Sequence, residues 1–369
     1  MSALSLLMRM IRSGQFADKK ILLLEKAPKT QNDRTWCYWE AGEGFFESIV
    51  YRQWPKIDFF SDTWDRTLDI HPYTYKMIRG ADFYRYCFDI INSQPNIETV
   101  YGEVGSSAVA EGECTIVLNE QLYKFPKAVL FNSVYTPGRS RLQVLQHFKG
   151  WVIESPLPVF DPQKASLMDF RVHQDHGTTF AYVLPFDPYT ALVEYTLFTP
   201  ALLEPGQYDA ELRNYIRTQL KLEEYKVKEE EFGIIPMTDE KFSTIRNGVI
   251  QLGTAGGRTK ASSGYTFQFV QKQSQEILDR LLSGQPLTGL SQTPARFRFY
   301  DNTLLYILYH RTLPGRKIFS TLFRKNKAAQ VLKFLDNDST IPEELKIISS
   351  LPTWPFLKAA VQSLAMSRL

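Results

Sequence analysis

The opening of the chain limits its folding choices most. Leu4, Leu7, Met8 and Ile11 recur at helical spacing, and Gly14 supplies a stop. Asp18, Lys19 and Lys20 then lead into Ile21-Leu22-Leu23-Leu24, a continuous apolar run of the kind a buried parallel strand needs, ended by Glu25. A helix feeding a short apolar strand that ends in an acid is the second half of a βαβ unit. In a dinucleotide fingerprint that acid follows GxGxxG/A by about 20 residues and holds the ribose hydroxyls. Glu25 follows Ala3 by 22 residues. On that register the first strand and the first two glycines fall upstream of Met1. Met1 is therefore expected to be an internal methionine of a longer natural chain, with weak or no dinucleotide retention by the chain as written and firm retention by an upstream-extended form.

A second strand-to-helix junction lies about 250 residues later. Val249–Leu252 reads as a strand, followed by GTAGGRTKASSGYTFQ and a helix from about Phe267 to Leu282. Gly253, Gly256 and Gly257 let backbone amides approach a ligand, and the helix N-terminus favours an anion or a polar ring. Arg258 and Thr259 break the Lys-Ser/Thr order of a Walker loop. Two such junctions predict one interleaved nucleotide domain. Between them, NDRTWCYW (32–39) reads as a loop carrying large rings, and Tyr75–Cys87 as a strand, a turn at Gly80 and the start of a helix. Ile97–Val104, Cys114–Leu118 and Ala128–Phe131 read as short strands. Apolar runs at WVIE (151), FRVH (170), TFAYVLP (179) and ALVEYT (191) predict an antiparallel sheet, and Tyr208–Leu220 a helix.

Composition narrows the function classes. Forty-three Lys and Arg against forty Asp and Glu leave +3, too little for a nucleic-acid footprint, so no nucleic-acid partner is expected. Cys37, Cys87 and Cys114 contain no CxxC pair and fit a reducing compartment; no secretory signal and no long uncharged apolar window is read. A cytoplasmic chain touching a membrane is expected. Aromatic residues reach 14%, enough to line an apolar, cation-stabilising cavity as well as a core. Nine Lys or Arg and one Asp from Arg296 to Lys333 make a basic amphipathic region.

Few residues stand out as chemistry. His173 and His176 form H-x2-H without a third or fourth ligand at metal spacing, so no metal site is expected. Glu194 interrupts ALVEYT, a strand otherwise suited to burial. It reads either as a solvated residue on the wet face or as a buried acid with a raised pKa that can donate a proton. Asp169 in LMDFR and Glu154 in WVIES carry the same two readings.

At NDRTWCYW the chain resembles the bacterial-type lycopene β-cyclases, which carry a D-x-T-W-x-x-W-like segment. HFKGWVIES (147–155), LMDFRV (167–172), YVLPF and LVEYT (182–196), FGIIPM (232–237), GTAGGRTKASSGYTF (253–267) and RFRFYDNTLLYIL (296–308) are similar to that family's segments in the same order. The resemblance implies an α/β fold of flavin-monooxygenase type, in which an FAD-binding domain is interleaved with a β-rich substrate domain and followed by a helical C-terminal region. The expected boundaries are 1–70, 98–140 and 230–290 for the FAD domain, 71–97 and 141–229 for the substrate domain, and 291–369 for the helices. It implies conversion of the ψ ends of lycopene to β-ionone rings, an isomerisation that uses reduced FAD, with NAD(P)H as an indirect reductant. Glu194 takes the family's carboxylate role, as acid and returning base, and Asp169 is a secondary candidate. Glu25 is assigned to the ribose, the Gly253–Gly257 turn and Gly264 to flavin and pyrophosphate, and the strand around Val104 to adenine. Lycopene or a related carotenoid and a membrane surface are the implied partners, with peripheral attachment to the cytoplasmic membrane through Arg296–Lys333. An FAD-dependent hydroxylase or oxidoreductase on another apolar substrate and a non-catalytic carotenoid carrier are the competing readings.

Overall fold

The computed structural model describes residues 1–368, so Leu369 of the expected C-terminal region lies outside it. Helix α1 (Ser2–Ser13) and strand β1 (Ile21–Glu25) form where the periodicity placed them. Strands β2 (Thr35–Glu40), β3 (Arg52–Trp54), β4 (Lys56–Phe60), β5 (Asp65–Asp69) and β6 (Thr74–Arg79) follow, then helix α2 (Gly80–Asn92) and strand β7 (Ile97–Tyr101). β1 pairs in parallel with β7, residue for residue from Ile21–Ile97 to Glu25–Tyr101. Its other edge is unpaired among the described residues, which leaves Leu22 39% exposed, so the run expected to be buried on both faces is only half covered.

NDRTWCYW is not a loop throughout. Thr35–Glu40 is β2, the antiparallel neighbour of β6, because Trp36, Tyr38 and their alternating partners fit a pleated surface. Strands β8 (Val104–Ala110), β9 (Glu113–Leu118) and β10 (Gln121–Pro126) make an antiparallel ribbon. The short strand β11 (Phe131–Asn132) returns to a parallel pairing described below.

The largest sheet has seven strands. β12 (Gln143–Glu154), β13 (Lys164–Asp169), β14 (Thr178–Pro185) and β15 (Thr190–Thr199) precede helix α3 (Pro205–Thr218), and β16 (Lys226–Thr238) follows it. The order is β16-β12-β15-β14-β13-β4-β5, antiparallel except where β13 meets β4. FRVH is a correction: β13 ends at Asp169, and the chain turns there because Asp169 accepts the Arg171 amide. The expected domain boundaries also cut this sheet. Residues 56–69, placed with the nucleotide domain, form its β4-β5 border, and β16 runs through position 230, because strand pairing rather than chain order decides membership.

Side-chain alternation gives this sheet two different faces. Ala181, Val183, Val193, Tyr195 and Leu197 pack on Tyr208, Leu212 and Tyr215 of α3. The opposite face presents Tyr182, Leu184, Leu192 and Phe198, and part of it is covered by the C-terminal helices through Leu305, Phe319 and Phe323. The uncovered part becomes the site.

β17 (Ile245–Arg246) and β18 (Val249–Gln251) complete the strands, with β18 parallel to β11. Helix α4 (Phe267–Ser283) packs on α1, with Leu7, Met8, Phe83 and Phe267 sharing a core. Five helices close the chain: α5 (Ala295–His310), α6 (Gly315–Lys325), α7 (Ala328–Leu335), α8 (Ile341–Ser350) and α9 (Thr353–Arg368). Several cations of the basic region are engaged internally. Arg296 pairs with the buried Glu344, Arg316 with Asp62 and Lys333 with Glu343, while Arg311 and Lys325 donate to backbone carbonyls. Exposed apolar side chains gather further along, where Trp354 (78% exposed), Leu357 and Val361 lie three and four residues apart on α9. No helix among the described residues is long and apolar enough to cross a membrane.

Candidate active site

A cavity of about 550 Å³ lies between the open face of the seven-stranded sheet, the start of β2 and the N-termini of α1 and α4. Glu194 is on its floor. The register explains why: Glu194 on β15 sits opposite Gly150 on β12, and Tyr182 on β14 lies on Glu194's other side. It therefore shares a face with Leu192 and Leu184 rather than with the α3 side, and that face lines the cavity. Tyr75, Tyr182, Tyr265, Trp36, Phe148 and Phe232 supply aromatic walls.

Burial is the first cause that holds the Glu194 carboxyl well above the carboxylate range, and the negative charge of Glu231 is the second. A hydrogen bond from the Thr196 hydroxyl (2.5 Å) pulls the other way without cancelling them. A carboxyl whose proton affinity is raised in this way is suited to donate a proton to a bound substrate. The residue sequence reasoning missed is Glu231. It follows two exposed glutamates in KEEEFG, so its charge run reads as a solvated strand edge; the signal was its position at the end of that run, facing inward by alternation. Thr35 was also missed, although it stands inside the D-x-T-W segment: its hydroxyl donates to Glu231 Oε2 at 2.6 Å.

The same segment is tied down on its other side. The Gly80 amide donates to the Arg34 carbonyl at 2.6 Å, and the Tyr84 hydroxyl donates to Asp33 at 3.0 Å. A Cβ at Gly80 would stand 2.8 Å from the Arg34 carbonyl oxygen, so this close approach requires glycine.

The other predicted residues divide. Glu25, at the end of β1, lines the same cavity as Glu194 and is ion-paired with Lys29. Gly264 (φ +72°) and Thr254 line it too. Gly253 does not, but its turn packs on the first residue of α1, where an added Cβ would lie 2.0 Å from Ser2 Oγ. Gly256 and Gly257 face a different, cation-rich cleft of about 1210 Å³. Val104 lies at the start of the β8-β9-β10 ribbon and is not in the cavity lining. Asp169 is elsewhere: fully buried, it receives Nε and Nη2 of Arg171 (2.9 and 2.6 Å) and the Tyr215 hydroxyl (2.7 Å), a pairing that fastens α3 to the sheet. It is a structural residue rather than a catalytic candidate. Glu154 is ion-paired with Lys228 on the strand border.

The residues fit a dinucleotide. Neither α1 nor α4 has an acidic residue in its first turn or a side-chain cap on its N-terminal amides, and both N-termini line the cavity. Free amides and the helix dipole suit a pyrophosphate and an electron-rich ring. Glu25 stands at the strand end where ribose hydroxyls are bound in such folds.

The fold is of the flavin-monooxygenase type. It resembles a flavoprotein/dehydrogenase from Cytophaga hutchinsonii (TM-score 0.57, 10% identity, 99% of this chain and 96% of that one). It is also similar to a probable FAD-dependent monooxygenase from Pseudomonas aeruginosa (0.56, 13%, 85% and 94%) and a geranylgeranyl bacteriochlorophyll reductase-like protein from Thermoplasma acidophilum (0.53, 11%, 94% and 89%). The chain belongs to the lycopene cyclase protein family, whose sequence profile matches residues 3–361. Comparison with curated protein sequences gives no match.

Proposed function

We propose that the protein is a lycopene β-cyclase that closes the ψ ends of lycopene to β-ionone rings without net redox change. The observation that carries this reading is the Glu194 carboxyl, its proton affinity raised by burial, on the wall of an aromatic cavity that Glu25 and the N-termini of α1 and α4 also line, in a chain of this family. Protonation of the terminal C1=C2 double bond at C2 leaves a cation at C1. The C5=C6 double bond attacks it, and loss of the C6 proton restores neutrality. Glu194 supplies the proton, and the bound polyene has to displace water that would quench the cations. The faces of Tyr75, Tyr182 and Trp36 favour positive charge.

Glu25, Thr254, Gly264 and the N-termini of α1 and α4 are the residues that would hold FAD. Reduced FAD, when bound, supplies an anionic ring system that favours cationic intermediates, and NAD(P)H serves only to reduce it. Because lycopene is dissolved in lipid, the protein works at the cytoplasmic face of a membrane. The apolar face of α9 supports attachment better than the internally paired region Arg296–Lys333.

The test is anaerobic incubation of lycopene-loaded liposomes with photoreduced FAD and protein, with chromatography of the carotenoids. Cyclised product without stoichiometric NAD(P)H use is the expected result, and Glu194→Gln should slow it by about 10²–10⁴-fold while carotenoid binding persists. Product formed only with matching consumption of NAD(P)H and oxygen would instead establish a hydroxylase. Binding that is indifferent to Glu194 and accompanied by no product would establish a carrier.

A further inference from the structure

We propose that Glu231 is the proton acceptor of the cyclisation, the carboxylate that takes the C6 proton after Glu194 has given one to C2. This rests on the cyclase reading of the cavity and divides between two residues the work that one carboxylate would otherwise do alone.

The geometry comes from one row across the sheet. Gly150, in the middle of β12, pairs with Glu194 on one side and with Glu231 on the other, so both carboxyls rise from the same face with a single strand between them. That strand carries no side chain at the crossing point. A Cβ built on Gly150 would lie 3.0 Å from Glu231 Cγ and 3.2 Å from its Oε1, so the glycine leaves the space into which Glu231 leans. Both residues line the cavity.

Each carboxyl accepts one threonine hydroxyl, Glu194 from Thr196 and Glu231 from Thr35, and what separates them is the Arg34 charge that acts on Glu231 alone. The Glu231 carboxylate is held by the Thr35 hydroxyl on Oε2, while its Oε1 is buried with no hydrogen-bond donor. The titratable groups facing it are Glu194 and Arg34 from neighbouring elements and Glu229 from its own strand. Burial, with the Glu229 charge, raises its proton affinity above the usual carboxylate range, and Thr35, Glu194 and Arg34 offset part of that rise. The Glu231 charge in turn raises the proton affinity of Glu194. Two carboxylates on neighbouring positions of one buried face do not both stay charged, so the pair shares a proton, assigned in this proposal to Glu194 at the start of the cycle. Each turnover then balances. Glu194 loses a proton to C2, a C1–C6 bond forms, Glu231 gains the C6 proton, and transfer from Glu231 to Glu194 restores the starting state.

The experiment compares Glu231→Gln and Thr35→Val with the wild-type protein in the liposome assay, with ring type read by chromatography. Glutamine keeps the size and the Thr35 contact but cannot accept the proton. C2 protonation should continue, turnover should fall about 10²-fold or more, and the remaining product should lose its proton from C4 and carry ε rings. Thr35→Val removes a hydrogen bond that favours ionised Glu231, so the acid limb of its pH–rate profile should move to higher pH with β rings retained. Wild-type rates and exclusively β rings from a folded Glu231→Gln protein would overturn the proposal, as would an unmoved acid limb in Thr35→Val. Failure of the wild-type protein to cyclise lycopene would instead refute the cyclase reading on which the proposal stands.

Discussion

Single residues in this chain are legible as chemistry only when their neighbours across the sheet are known. Glu194 and Asp169 look alike in sequence, each an acid inside or at the end of an apolar strand. One lines the cavity opposite a glycine, and the other is consumed by Arg171 and Tyr215. His147 makes the same point for an imidazole. It is fully buried, with Thr199 Oγ1 at 2.6 Å and Tyr208 Oη at 2.5 Å from its two ring nitrogens, and burial lowers its pKa to about 4. Against an ordinary value near 6.5, the unfolded chain binds the extra proton between those two limits, so stability is lost as pH falls from about 6.5 to 4. The loss amounts to about 3 kcal/mol. Urea unfolding at pH 7 and pH 4.5 should show a smaller drop for His147→Gln than for the wild-type protein.

At the scale of elements, periodicity predicted α1, α3 and α4 well because each carries an apolar face that a helix buries, and it placed β1 correctly while overstating its burial. It failed at β2, where dense rings hid a strand, and at FRVH, where a local Asp169–Arg171 bond ended one. The candidate site was half legible: the glycine loop and Glu194 are marked by residue type, whereas Glu231 and Thr35 depend on which strand lies next to which. Glycines mark the same dependence. A Cβ at Gly233 would lie 2.3 Å from Phe148 Cζ, so β16 makes room for a ring of β12 just as β12 makes room for Glu231. In the loop before α4, Gly264 adopts φ +72° and a Cβ there would lie 2.1 Å from Gln146 Oε1. Gly264→Ala should cost about 1–2 kcal/mol of stability from the left-handed backbone alone. Flavin titration should show affinity weakened by at least about tenfold, a shift of 1.4 kcal/mol.

Over the whole molecule, the two faces of one sheet do different work: the α3 side is packed shut, and the other side is part core and part cavity. The membrane reading belongs to this scale. Flotation with liposomes should bring the protein to the lipid fraction, and the double replacement Trp354→Ser with Leu357→Ser should reduce the floated share several-fold while leaving activity on detergent-dispersed lycopene intact. Replacing the internally paired Arg316 and Lys333 should change flotation little. The place of Glu231 has a kinetic consequence. Its strand, β16, is the border of the seven-stranded sheet and is paired only with β12, whereas β15, which carries Glu194, is held on both sides. Deuterium should therefore enter the backbone of 226–234 orders of magnitude sooner than that of 190–199, because border amides are released by local opening and central ones by opening of the whole sheet. One wall of the cavity is thus free to breathe while the other stays fixed.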